Sequence, residues 1–119
     1  MTVSVLNPIT TINANPPVKT KVVFMDRPIK VMAKELFDAK SYECFINLTM
    51  KESHLNPLSV NPTSGAQGIA QLLPSTMKSL GFAHTENANV QLLGFIAYES
   101  RHYGSICGGW AYWQKHKYY

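Results

Sequence analysis

The spacing of hydrophobic positions changes near residue 26. Before it, Val3, Val5, Ile9, Ile12 and Val22–Phe24 stand singly or in short pieces among Thr, Asn and Pro, which predicts extended stretches. Pro16-Pro17 enforces an extended connection there. From Asp26 onward the spacing becomes helical: Ile29, Met32, Ala33, Leu36 and Phe37 trace one face, with Pro28 at an early position that tolerates a missing N–H. A second helix is expected over roughly 42–54 with Ser41 as its N-cap. Residues 55–67 read as loop, broken by Asn56-Pro57, Asn61-Pro62 and Ser64-Gly65. Gly68–Leu73 is short and apolar, which suits a small β element. Pro74 starts a short helix that Gly81 closes, and a longer helix runs from about 88 to 103 between Asn87 as cap and Gly104 as stop. A last short helix carries Trp110 and Trp113. The pattern holds no internal repeat, and it predicts a mainly α domain over 26–119 behind an extended arm of residues 1–25.

Composition narrows this picture. A chain of 119 residues with 45% hydrophobic and 11% aromatic residues builds one domain with a real core. The net charge of +4 comes from scattered Lys and Arg, read as a solvated basic surface with attraction to a bacterial wall as the alternative. No helix gathers its basic residues into a stripe, so nucleic acid is set aside as a partner. Cys44 and Cys107 are too few for a disulfide framework and sit in no CxxC, and the four histidines lack metal-ligand spacing with them. Both are expected to be reduced, mostly buried thiols, with no metal and no cofactor. No segment reaches the roughly 18 apolar residues of a membrane span. The N-terminus lacks a basic start and an uninterrupted apolar core, so no signal peptide is expected.

The candidate chemistry begins at Glu52. Phe45, Leu48 and Thr49 lie seven, four and three positions before it, so its carboxylate projects from an apolar stripe. Burial there favours the protonated form, and the negative end of the helix dipole acts in the same direction. A carboxylic acid that keeps its proton near neutrality is what protonation of a glycosidic oxygen requires. The loop that follows contains Ser53, then Ser64-Gly65-Ala66-Gln67-Gly68-Ile69-Ala70-Gln71. Its two close glycines let backbone approach a ligand, and Gln71 offers donor and acceptor to sugar hydroxyl or acetamido groups.

Glu52-Ser53-x-x-Asn56-Pro57 followed by Gly65-Ala66-x-Gly68-Ile69-x-Gln71-x-x-Pro74-x-Thr76 resembles the lytic transglycosylases of the lysozyme-like superfamily. Tyr98-x-x-Arg101-His102-Tyr103-Gly104-Ser105 and Cys107-Gly108-Gly109-Trp110-Ala111-x-Trp113-Gln114, with the ending Tyr118-Tyr119, resemble the closing segment of transglycosylase domains in phage tail and tape-measure proteins. The resemblance covers roughly residues 30–119. It implies a lysozyme-like helical domain with a small β/loop element, and cleavage of the β-1,4 bond between N-acetylmuramic acid and N-acetylglucosamine in peptidoglycan. One glutamic acid then acts as acid and, as carboxylate, as base, closing a 1,6-anhydro ring.

The resemblance assigns Glu52 the catalytic role and makes Ser53, Asn61, Ser64, Ile69, Gln71 and Tyr98 candidates for substrate binding. Either Asn61 or Ser64 would hold the Glu52 carboxyl, and Tyr98 would reach that carboxyl or the sugar. For Gln71 the alternative is to hold the loop to its own backbone. For Tyr98 it is to serve as a core aromatic. Trp110 and Trp113, three apart on a helix, read as core packing. A hydrolase of the same fold would need a second carboxylate. Glu43 lies about 13 Å back along the helix, too far; folding could bring Glu86 or Glu99 near, though both read as surface charges. The expected partners are peptidoglycan glycan strands and, through the arm, other proteins of a phage virion. A non-catalytic structural or glycan-binding virion protein is the alternative of a different class.

Overall fold

The computed structural model describes residues 27–117, so the arm of residues 1–25 and the pair Tyr118-Tyr119 lie outside the described residues. Five helices follow one another among the described residues: α1 (Ile29–Leu36), α2 (Ala39–Ser53), α3 (Pro74–Ser79), α4 (Ala88–Tyr103) and α5 (Ile106–His116). Their order and type are those that the hydrophobic spacing predicts. α2 starts earlier than expected because Asp38 caps it rather than Ser41. The Asp38 carboxylate accepts from the Ser41 backbone N–H at 2.8 Å, which also holds that carboxyl below its ordinary range. Asn87 caps α4 by accepting from Asn89 and Val90, and Ser105 caps α5 by accepting from Gly108.

The core collects Met32 of α1, Phe45 and Leu48 of α2, Ile69 and Leu72 of the loop, Met77 of α3, Leu92 and Phe95 of α4, and Ile106 of α5. Phe45 stands at its centre, with ring centroids 5.5 Å from Phe37 and 6.4 Å from Phe95. Burial of each such side chain stabilises by about 1.5–3 kcal/mol. α5 packs against both α2 and α4, and α1 against the same two. α5 thereby bridges the two long helices.

Two local expectations are overturned. Cys44 and Cys107 are not thiols but a disulfide, with Cα atoms 5.2 Å apart, which ties α2 to α5. Their separation of 63 residues hid this proximity from the sequence. The segment Gly68–Leu73 forms no strand. Single bridges join Val60 to Gln67 and Gln67 to Leu72, because left-handed backbone at Gly68 (φ 84°) and Gln71 (φ 55°) turns the chain back at once. No helix among the described residues is long and apolar enough to cross a membrane.

Candidate active site

Glu52 is the penultimate residue of α2, half-buried, and its Oε2 accepts a 2.8 Å hydrogen bond from the indole N–H of Trp113 on α5. Burial pushes its pKa up from the ordinary value, and the Trp113 hydrogen bond opposes that rise. Trp113 packs against the core, as its spacing with Trp110 suggests, and the two indoles stack with centroids 5.7 Å apart. Its N–H serves Glu52 at the same time, a task the sequence reading gave to Asn61 or Ser64. Lys51 and Lys117 place their ammonium groups 5.8 and 5.3 Å from the centre of the Trp113 ring. After Glu52 the chain turns sharply through His54 (φ 57°) and Leu55 (φ 60°), two non-glycine residues in the left-handed region. Strain of this kind, on the order of 1–3 kcal/mol per residue, tends to be kept where geometry matters to function.

The loop candidates are placed as follows. The Ser53 hydroxyl is buried and donates to Ile69 O at 2.7 Å, which staples the end of α2 to the loop. The Ile69 side chain lies in the core, fully buried, while its N–H donates to Gln91 Oε1 at 2.9 Å. Gln71 spends both hydrogens of its amide on the loop itself, donating to Ser59 O at 3.1 Å and Gly68 O at 3.0 Å. Asn61 Oδ1 accepts from the N–H groups of Thr63 and Ser64, and Ser64 Oγ accepts from Ala66 N–H, so both shape an exposed turn. The Tyr98 ring lies tilted against His102, centroids 4.3 Å apart, and shares a hydrogen bond with Tyr103.

Three residues that shape the site escaped the sequence reading. Gln91, at the start of α4, is buried and accepts from Ile69 while donating to Pro57 O at 3.0 Å and Thr85 O at 2.9 Å. It pins both arms of the loop, and Gly68 is required opposite it because a Cβ there would strike the Gln91 amide. Glu99, read as a surface charge, is fully buried on α4, and its two oxygens have no hydrogen-bond partner. Burial and the charge of Glu52 push its pKa up to about 8. Gly109 on α5 makes the room, since a Cβ at that position would fall on Glu99 Oε1. A polar side chain on the inward face of α4 was the available signal: Glu99 lies four residues after buried Phe95, and Gln91 four before it.

The arrangement is therefore a half-buried carboxyl with one N–H donor, beside a turn whose backbone is fixed by side-chain amides. Among the described residues no three His, Cys, Asp or Glu side chains gather as a metal site. No curated protein and no solved structure matches the chain. The family model described as the Transglycosylase SLT domain matches residues 32–93, which takes in α2, Glu52, the whole loop and the first turns of α4. With more than half of its 119 residues matched in this way, the chain belongs to the Transglycosylase SLT domain family.

Proposed function

We propose that the protein is a lytic transglycosylase that cleaves the β-1,4 bond between N-acetylmuramic acid and N-acetylglucosamine in peptidoglycan. The observation that carries this reading is Glu52, whose half-buried carboxyl is biased toward the protonated form at the end of the matched helix. Protonated Glu52 gives its proton to the glycosidic oxygen as the bond to the anomeric carbon breaks. The C6 hydroxyl of the muramic residue then attacks that carbon, and the Glu52 carboxylate takes the hydroxyl proton, which closes the 1,6-anhydro ring and restores the acid. An indole N–H can only donate, so Trp113 occupies Oε2 as an acceptor and leaves Oε1 to carry the proton. The same bond steadies the carboxylate between the two proton transfers.

A hydrolytic route needs a second carboxylate that reaches the sugar or a water beside it. Glu99 is fully buried and faces helix α5, which favours the single-residue route. With both amide hydrogens on backbone carbonyls, Gln71 keeps its Oε1 to accept from a sugar hydroxyl or acetamido N–H. We place the enzyme on a phage particle, where it would open the wall locally for DNA entry. The phage-like segment from Tyr98 to Gln114 and the nearly uncharged arm, as a docking segment, support that placement. Mass spectrometry of digested peptidoglycan tests the reaction: products ending in 1,6-anhydromuramic acid are expected, and none from Glu52→Gln. Reducing ends, or equal clearing by the variant, would reject it. Detection of the chain in purified particles tests the placement.

A further inference from the structure

Glu99 is a buried group to which the reaction above gives no task. Among the described residues its two carboxyl oxygens are the buried side-chain polar atoms that lack a partner. Such an orphan costs folding free energy, and an apolar side chain of similar size would cost none. Its position ties it to the catalytic residue. The carboxyl rests on Gly109 of α5, and one turn further along that helix, about 6 Å, Trp113 donates to Glu52. One helix face thus seats the first carboxyl and holds the second.

We propose, on the basis of the transglycosylase reading, that Glu99 is a positioning residue for the reaction: neutral in its seat on Gly109, it leaves the helix face that holds Glu52 free of a second charge, and ionised, it opposes the charge that Glu52 takes on in turnover. Glu52 must become a carboxylate halfway through each turnover. A neutral neighbour permits this, whereas a second negative charge in the same buried seam opposes it. The titratable groups that face Glu99 are Glu52 from α2 and Tyr98 and Tyr103 from its own helix, with the Tyr112 ring of α5 tilted against Tyr103. The charged residues of α1, Lys30, Lys34 and Glu35, are exposed. Burial and Glu99 itself push Tyr98 and Tyr103 up, the latter to about 12, so neither adds charge where the carboxyls titrate.

The coupling is read directly by carboxyl carbon NMR of the full chain labelled at glutamate. Glu99 is expected to titrate at about 8, and at lower pH in Glu52→Gln, because the opposing charge is gone. An unchanged titration overturns the proposal. This measurement needs no turnover, so reducing-end products would reject the transglycosylase reading and leave the coupling standing. The second readout is the pH–rate profile of Glu99→Gln and, should a buried amide prevent folding, of Glu99→Met. The wild-type alkaline limb is expected to break at about 8, where Glu99 ionises, and the limb of either variant to run through that pH without a break. Superimposable profiles overturn the proposal. So does loss of the near-ultraviolet circular dichroism of Trp110 and Trp113 in step with activity, which would make Glu99 a structural residue only.

Discussion

The two regions that meet at Glu52 treat buried polar groups in opposite ways. Around the loop of residues 54–72 the buried polar side chains that hold it are satisfied: Ser53 at the end of α2 by Ile69 O, and Gln91 of α4 by three backbone groups at once. In the α4–α5 seam a carboxyl is buried with nothing to bond to. A neutral amide can be sealed inside at little cost once its donors and acceptors are matched. A carboxyl cannot be, and survives there by keeping its proton. The loop is thus built to hold a shape, and the seam to hold a protonation state.

Breaking the clamp on the seam is expected to have the largest effect. The disulfide closes a separation of 63 residues between α2 and α5, and such a closure constrains the unfolded chain by about 4 kcal/mol. Reduction, or the paired change Cys44→Ala with Cys107→Ala, should lower stability to chemical denaturant by about that amount. Trp113 fluorescence should change with it, as the indole leaves Glu52. A reduced protein of unchanged stability would show that α5 is held by packing alone.

The loop is expected to fail next. Gln91→Ala removes three hydrogen bonds from a buried place and leaves Ile69 N–H unsatisfied, for about 3 kcal/mol. Hydrogen exchange at the Ile69 amide reads this locally. Protection that persists in the variant would mean that another group holds the turn.

These two regions differ as much in how they could be read from the sequence. The helices were legible because hydrophobic spacing and caps act within a few residues, as at Asn87 and Gly104. Glu52 was legible because a carboxylate interrupted an apolar stripe and a spaced motif followed it. Ser53, Ile69 and Gln71 stood out in the motif, and each also makes a bond internal to the loop, which a motif match does not distinguish from ligand contact. Glu99, Gly109 and Trp113 lie outside the matched segment 32–93. Their roles depend on how α4 and α5 face each other, and on a disulfide that no spacing rule revealed. A single glycine admitting a carboxyl is a tertiary fact.

Replacement of the orphaned carboxyl sharpens the contrast from the opposite side. Glu99→Met fills a similar volume without an unsatisfied polar group and should stabilise the protein by about 2 kcal/mol at pH about 5. The pH dependence carries the sign. Between 4.5, the ordinary value, and about 8, folded Glu99 keeps a proton that the unfolded chain has released. Stability of the wild type must therefore fall as pH rises through that window, and level off above it. The variant lacks this slope. Thermal unfolding of both proteins at several pH values measures it, and parallel curves would mean that Glu99 is solvated in the folded state.

The smallest expected effect is at the bond where the two regions meet. Trp113→Phe keeps an aromatic ring over Lys51 and Lys117 but removes the N–H that reaches Glu52 Oε2. That donor favours the carboxylate and lowers the Glu52 pKa, so its loss should move the alkaline limb of the pH–rate profile to higher pH. On the proposed mechanism the maximal rate should fall roughly fivefold, since the carboxylate formed between the two proton transfers loses about 1 kcal/mol of support. The two changes have different origins: the limb reports the free acid, and the rate reports the charged intermediate state. A slower enzyme with an unmoved limb would show that Trp113 acts through packing, and that the seam alone sets the proton affinity of Glu52.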